Sequence, residues 1–393
     1  MQPLASSSPK PHEAHKMKLR LAIVRQRYNP YGGAERFIAR ALPALEQAGA
    51  EVTLIARQAE GWGARRVLRV DPFHIGKVWR DWSFARAART AWRRERFDVV
   101  QSHERIPGCD VYRAGDGVHR RWLELRARVA GMFERLGMAI NPYHRYVCAA
   151  ERRLFEHPRL RAVICNSRMV ADEIRRAFRI DAGKLHVVYS GVDLNHFQPR
   201  LRAELRGTTR AQLGCQPRDT LFLFVGSGFS RKGLGAAIEA LQLANHRSFW
   251  LVVVGKDREA ERYAAQAAPL ADRVLFLGGR DDVRPLYAAA DCLILPSRYD
   301  PFPNTVLEAF AMGLPAIVST HAGAAEIIVS GVNGWVCEPD DAPGIARLMH
   351  EADRAVRTGE LPQAARATAE RYGMEAMAGK LAALYERLAR EAA

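Results

Sequence analysis

Leu295-Pro296-Ser297-Arg298-Tyr299-Asp300-Pro301-Phe302-Pro303-Asn304-Thr305-Val306-Leu307-Glu308-Ala309 closes the apolar run that begins at Cys292. The run reads as a buried strand and the Pro- and Asp-rich piece as a loop, and Thr305 opens an apolar helical pattern. A strand end feeding a helix N-terminus presents unpaired backbone N–H groups and a positive dipole end, so it can hold an anion. Three prolines stiffen the loop before any ligand arrives. Asp300 and Glu308 put one acid on each side of the turn. Alone, the stretch is equally an ordinary capped connection.

The same alternation extends in both directions. Toward the C-terminus and back, strands are expected at 221–226, 249–255, 273–278, 292–295, 316–319 and 334–337. In the first half they are expected at 18–24, 51–56, 66–70, 97–101, 110–113, 161–165 and 185–188, each set separated by helical patterns. That is α/β with mainly parallel sheets, twice over. The length of 393 residues suits two domains. The division read here is a disordered leader at 1–16, a first domain at 17–190, a second at 191–372, and a helix at 373–393.

Charge separates the halves. Residues 1–195 hold 36 Lys and Arg against 20 Asp and Glu, whereas residues 196–393 hold 23 of each. The basic half should therefore face something anionic: nucleic acid, an anionic membrane or an acidic acceptor. No apolar run reaches the roughly 18 residues of a membrane-spanning helix. The six cysteines stand singly, which argues against a zinc site or a disulfide framework and for a reducing cytosol.

Chemistry collects at strand ends. Gly226-Ser227-Gly228-Phe229-Ser230-Arg231-Lys232-Gly233 runs a strand into a Gly-rich loop and then two cations, which suits a diphosphate but lacks Walker spacing. Glu308, acceptor-only when ionised, can take both hydroxyls of a ribose. Together these residues describe a nucleotide-diphosphate site. Tyr31-Gly32-Gly33-Ala34-Glu35 is Gly-rich without being a dinucleotide fingerprint, and Ser102-His103-Glu104-Arg105 follows a strand, where ligands of open parallel sheets bind. Residues 119–136 form an Arg-rich amphipathic helix with Trp122, Leu125, Val129, Phe133 and Leu136 on one face. Such a face lies in a membrane interface, with Trp122 as anchor, or docks on the sheet.

The pattern Gly226…Arg231-Lys232-Gly233, Pro296-Ser297, Asp300-x₇-Glu308, Gly313-Leu314-Pro315 and Gly331-Val332-Asn333-Gly334 resembles the retaining GT-B glycosyltransferases of the family-four type. That family usually has Glu at both ends of the x₇ motif; here the first acid is Asp300. The resemblance implies two Rossmann-like domains facing across a cleft, with the last helix crossing back to the first domain. It implies that Arg231 and Lys232 neutralise the donor diphosphate, and that Glu308 binds its ribose. The Asp300–Pro303 loop with Phe302 would meet the sugar, and the donor would also touch Gly32, Gly33, Asn304, Thr305 and Val306. Arg280 would meet the base, and His103 would lie beside the reacting sugar.

Ile106-Pro107-Gly108-Cys109-Asp110-Val111-Tyr112…Asp116 resembles the lipopolysaccharide core glucosyltransferases within that family. The implied acceptor is an anionic glycolipid, met by Arg105 and Asp116. The reaction expected is hexosyl transfer from UDP-glucose or UDP-N-acetylglucosamine with retention, without metal or other cofactor. The expected location is the cytoplasm, peripheral on the inner face of the membrane through residues 119–136. A GT-B epimerase or hydrolase, another exopolysaccharide or glycolipid transferase, and a basic nucleic-acid module are the rivals. The last predicts a steep salt dependence and no nucleotide-sugar affinity.

Overall fold

The computed structural model describes residues 19–28, 33–47, 49–270, 272–357, 359 and 361–391. The leader at 1–16 and Gly32 lie outside the described residues.

The first sheet is built on β1 (Leu19–Val24), β2 (Ala50–Ala56), β3 (Val67–Arg69), β4 (Val99–Ser102), β5 (Val111–Ala114), β6 (Ala162–Cys165) and β7 (Leu185–Val187). They lie in the order β3-β2-β1-β4-β5-β6-β7, all parallel. The second sheet takes β8 (Thr220–Val225), β9 (Phe249–Val254), β10 (Val274–Phe276), β11 (Cys292–Leu295), β12 (Ala316–Ser319) and β13 (Gly334–Cys337), in the order β10-β9-β8-β11-β12-β13. These strands read as continuous apolar runs because helices cover both faces, which is the burial a parallel sheet requires. Strand order reverses direction at β1 and again at β8, and each reversal opens a crevice beyond the strand C-termini.

Helix α1 (Gly33–Gln47) packs on one face of the first sheet, and α2 (Gly76–Glu95) on the other. The α3 (His119–Val129), α4 (Met132–Ile140) and α5 (Pro142–Phe155) helices fill the long β5–β6 crossover, and α6 (Arg168–Ala177) follows β6. The single helix expected at 119–136 is thus two. Ala130 and Gly131 are extended (ψ 144° and 166°), where glycine's poor helix propensity favours a break.

In the second domain α7 (Arg200–Leu213) packs beside α8 (Arg284–Ala289), and α9 (Asn304–Ala311) follows β11. The final helix, α10 (Met374–Arg390), carries Met377, Leu381, Leu384, Tyr385 and Leu388 at helical spacing. All five are buried in the same cluster as Leu21, Leu54 and Phe37, so α10 returns to the first domain beside α1. Among the described residues no helix is long and apolar enough to cross a membrane.

The C-terminal edges of the two sheets meet across a seam. Tyr299, behind β11, is buried; its hydroxyl accepts from Val118 N–H (2.9 Å) and donates to Glu173 Oε2 (2.7 Å). Arg168 N–H, behind β6, donates to both carboxylate oxygens of Glu326, behind β12 (3.1 Å).

Candidate active site

β8 and β11 are neighbours in the second sheet, so their two C-terminal junctions adjoin. At the first, Gly228 and Gly233 (both φ +78°) bracket the single turn Phe229–Lys232. A Cβ at Gly233 would stand 2.0 Å from Pro296 O, so only glycine lets this turn close onto the second junction. Arg298 N–H then donates to Arg231 O (2.8 Å), joining loop to loop.

Lys232 and Asp300 are both buried. Lys232 Nζ lies 2.9 Å from Asp300 Oδ2, and Arg231 Nη1 lies 3.4 Å from the same oxygen. Arg231 also donates to Tyr299 O (2.9 Å). Burial pushes the Asp300 carboxyl up, but the charges of Lys232 and Arg231 and their hydrogen bonds win and hold it below the usual aspartate range. Arg231, Lys232 and Asp300 therefore come together. The Asp300 carboxylate, however, is engaged as the counter-ion of the two cations rather than held open for a sugar.

Glu308 lies one turn inside α9, buried, and accepts from Tyr287 Oη (3.1 Å). Thr305 Oγ1, nearby on the first turn, is buried with no partner, as a group awaiting a ligand would be. Two expected donor contacts need correction at the side-chain level. Phe302 packs its ring against Tyr189 (5.5 Å) inside the core, and Val306 is fully buried with its N–H given to Pro303 O. These two side chains seal the domain, so only their backbone can reach a donor, whereas Asn304 and Thr305 between them are polar and half-buried. Arg280 stands exposed on the loop after β10. Gly33 opens α1.

On the facing edge, His103 follows β4 and is 4% exposed. Burial, and then the charges of Arg113 and Arg25, hold its imidazole well below the ordinary histidine value, so it is neutral. Its Nε2 is 2.8 Å from Gln101 Nε2, while Nδ1 has no partner. Arg105 Nε donates to buried Glu151 (2.8 Å), and both Arg105 and Asp116 line a pocket of about 300 Å³ with Asp81, Glu104 and Tyr143. A larger cavity, about 730 Å³, lies between Trp122 and Arg126 of α3 and the Arg231 turn.

His119, His144, His157 and His186 are also held below the ordinary value, mainly by burial and then by neighbouring cations or, for His119, also by His144; His119 lies near 4. A lowered folded value means stability that is full above the unfolded value of about 6.5 and lost as pH falls. The melting temperature should accordingly drop between about pH 6.5 and 4, and His103→Gln should make that drop shallower. An unchanged slope in that variant would place the effect on the other histidines.

The apolar face expected at 119–136 divides. Leu125 is buried, and Trp122 stacks on Tyr299 (6.3 Å, 23°) at the domain seam, so Trp122 is not an interfacial anchor. Phe133 and Met132 are 86% and 76% exposed, with Val129, Leu136 and Ile140 beside them. A second apolar patch escaped the sequence reading: Phe73, Ile75, Trp79 and Trp82 are exposed on and before α2. Lys77 Nζ lies 5.8 Å over the Tyr143 ring at the start of α5, which ties this patch to the end of α4. Its period-of-three-to-four spacing was visible, but the same spacing is what a buried helix face would show.

Comparison with known proteins agrees with this architecture. The Glycosyltransferase Family 4 model matches residues 31–196 and the Glycosyl transferases group 1 model matches residues 206–369. The chain is 26% identical to the lipopolysaccharide glucosyltransferase WaaG of Escherichia coli K12, over 84% of this chain and 89% of WaaG. It is 26% identical to the lipopolysaccharide core biosynthesis glycosyltransferase LpsE of Rhizobium meliloti, over 83% and 88%. The WaaG crystal structure superposes with a TM-score of 0.79 at 24% identity, covering 93% of this chain and 99% of that one. Anabaena HepE, solved with UDP-glucose, superposes with a TM-score of 0.71 at 19% identity, covering 94% and 100%. With a family-four domain followed by a group-1 domain on this two-sheet fold, the chain belongs to the GT-B glycosyltransferases.

Proposed function

We propose that this transferase moves a hexosyl unit from a UDP-sugar, UDP-glucose or UDP-N-acetylglucosamine, to an anionic glycolipid of the lipopolysaccharide core. The observation that carries the reading is the adjoining of two junctions, one holding Arg231 and Lys232 and the other the buried Glu308. Cations for a diphosphate and a carboxylate for a ribose make one donor site, and the likeness to WaaG and LpsE supports the acceptor class. Arg231 and Lys232 stabilise the charge that grows on the leaving diphosphate, with the N–H groups of Asn304 and Thr305 at the α9 terminus adding to it. The departing phosphate oxygen takes the acceptor proton on the same face, so configuration is retained, and no metal is required. Arg105 and Asp116 receive the acceptor on the first-domain side, and His103 meets the donor sugar. A panel of nucleotide-sugars in a thermal-shift assay tests the donor, since ligand at 100 times Kd adds about 2.7 kcal/mol. A UDP-sugar that raises Tm, with an α-linked product insensitive to EDTA, is the expected outcome. Turnover of the donor to a free sugar or an epimer without acceptor would instead support the hydrolase or epimerase reading.

The enzyme works at the inner face of the cytoplasmic membrane, and the exposed patches on α2 and α4 are its contact. The first half of the chain also carries the surplus of Lys and Arg, which an anionic leaflet attracts. Phe73→Ser combined with Phe133→Ser should lower sedimentation with phosphatidylglycerol vesicles by about tenfold or more, since each buried aromatic adds roughly 1.5–3 kcal/mol. Soluble-donor binding should be unchanged. Unaltered vesicle binding would remove both patches from the contact.

A further inference from the structure

We infer that Gln101 and Tyr385 are positioning residues that set the tautomer of His103, so that its Nδ1–H, and not its Nε2–H, is the group offered to the donor sugar. The inference rests on the proposed place of His103 beside the donor sugar, but its first readout does not.

Tyr385 lies on α10, is 1% exposed, and gives its hydroxyl proton to Gln101 Oε1. That oxygen is its only hydrogen-bond partner among the described residues, so turning the amide round would leave a buried O–H with no acceptor. The Gln101 amide is therefore held with Nε2 toward the imidazole. An amide nitrogen only donates, so His103 Nε2, 2.8 Å away, must accept. A neutral ring with a bare Nε2 carries its proton on Nδ1. Nδ1 is the buried ring atom that has no partner among the described residues.

Such a group is costly unless a ligand completes it. Burial first, and then the charges of Arg113 and Arg25, disfavour the protonated ring. Backbone also pins the residue, since His103 N–H donates to Val24 O (3.0 Å). An N–H fixed in this way can only donate, so it recognises a sugar hydroxyl acting as acceptor. A helix from the end of the chain thereby sets the chemistry of a strand end in the first domain.

The full-length protein, labelled with ¹⁵N-histidine, reads this directly by long-range ¹H–¹⁵N correlation, with the His103 signals identified as those missing in His103→Asn. Wild-type protein should show a protonated Nδ1 and a bare Nε2. Gln101→Glu replaces the donor with an acceptor, so it should move the proton to Nε2 and lower kcat about 100-fold. Tyr385→Phe frees the amide to rotate, giving mixed tautomers and a kcat roughly tenfold lower, with the KM for UDP-sugar little changed. A wild-type ring protonated on Nε2 overturns the proposal. So does a Tyr385→Phe protein whose Tm falls while tautomer and kcat stay as in wild type, because that is a structural role only. If Gln101→Glu does not fold, the Tyr385→Phe spectrum decides. If no nucleotide-sugar binds wild-type protein, the donor reading fails while the tautomer measurement still decides this one.

Discussion

Glu308→Ala should lose about 10²–10⁴-fold in kcat/KM for the UDP-sugar, because hydrogen bonds to a charged group are worth roughly 1.5–3 kcal/mol each and two ribose hydroxyls lose theirs. Glu308 is 2% exposed, so its carboxylate is well shielded from bulk water. Truncation also strips Tyr287 Oη of an acceptor, but Thr305 O, 3.3 Å away, remains to take its proton. The fold should survive, with Tm lowered by a few degrees. Donor analogues lacking one ribose hydroxyl separate binding from architecture. They should bind wild-type enzyme poorly and the variant about as badly as the full donor, the non-additivity of a contacting pair. Additive losses, or wild-type-like kinetics, would move the ribose site away from Glu308.

Lys232→Ala should lower kcat by about 10²–10³-fold, the range seen when one preorganised charge donor at a leaving group is removed. Its effect on stability is equally direct. The change leaves the buried Asp300 with Arg231 alone, 3.4 Å away, and breaking a buried pair costs about 3–5 kcal/mol when nothing compensates. The pH dependence follows in sign. In the native protein the Asp300 carboxyl is held below its ordinary value, so its stabilisation is present at neutral pH and is lost as pH falls below about 4. Without Lys232, burial acts with less opposition, the carboxyl moves up, and acid destabilisation should begin at higher pH. Lys232→Ala combined with Asp300→Asn removes the uncompensated charge. It should recover much of the Tm and none of the turnover, whereas recovery of turnover would show that Lys232 serves Asp300 and not the diphosphate.

Both predictions rest on residues legible in the sequence, and the reason is local. Apolar runs ended by Gly, Pro and Asp mark strand ends, and a parallel sheet gathers those ends on one edge. The expected strands at 292–295, 316–319 and 334–337 coincide with β11, β12 and β13, since strands buried on both faces have the plainest pattern. Arg231, Lys232 and Glu308 needed only that rule to be placed on a common edge. The return of α10 was legible because its apolar positions keep one face over its whole length.

Partnership was not legible, because it depends on which side chain reaches which across elements far apart in the chain. Asp300 and Glu308 look alike in sequence, yet one is the counter-ion of Lys232 and the other accepts from Tyr287. Trp122 shares a helical face with Phe133, but Gly131 breaks the helix between them, so one stacks on Tyr299 and the other faces outward. Tyr385, Gln101 and His103 are brought together only by the fold. The sequence by itself determined two parallel α/β domains and the junctions where a nucleotide-sugar would bind, because periodicity and turn chemistry act within a few residues. The tertiary structure alone decided which acid faces which cation, which apolar groups stay exposed and which nitrogen of His103 carries its proton, because those are set by contacts across hundreds of residues of chain.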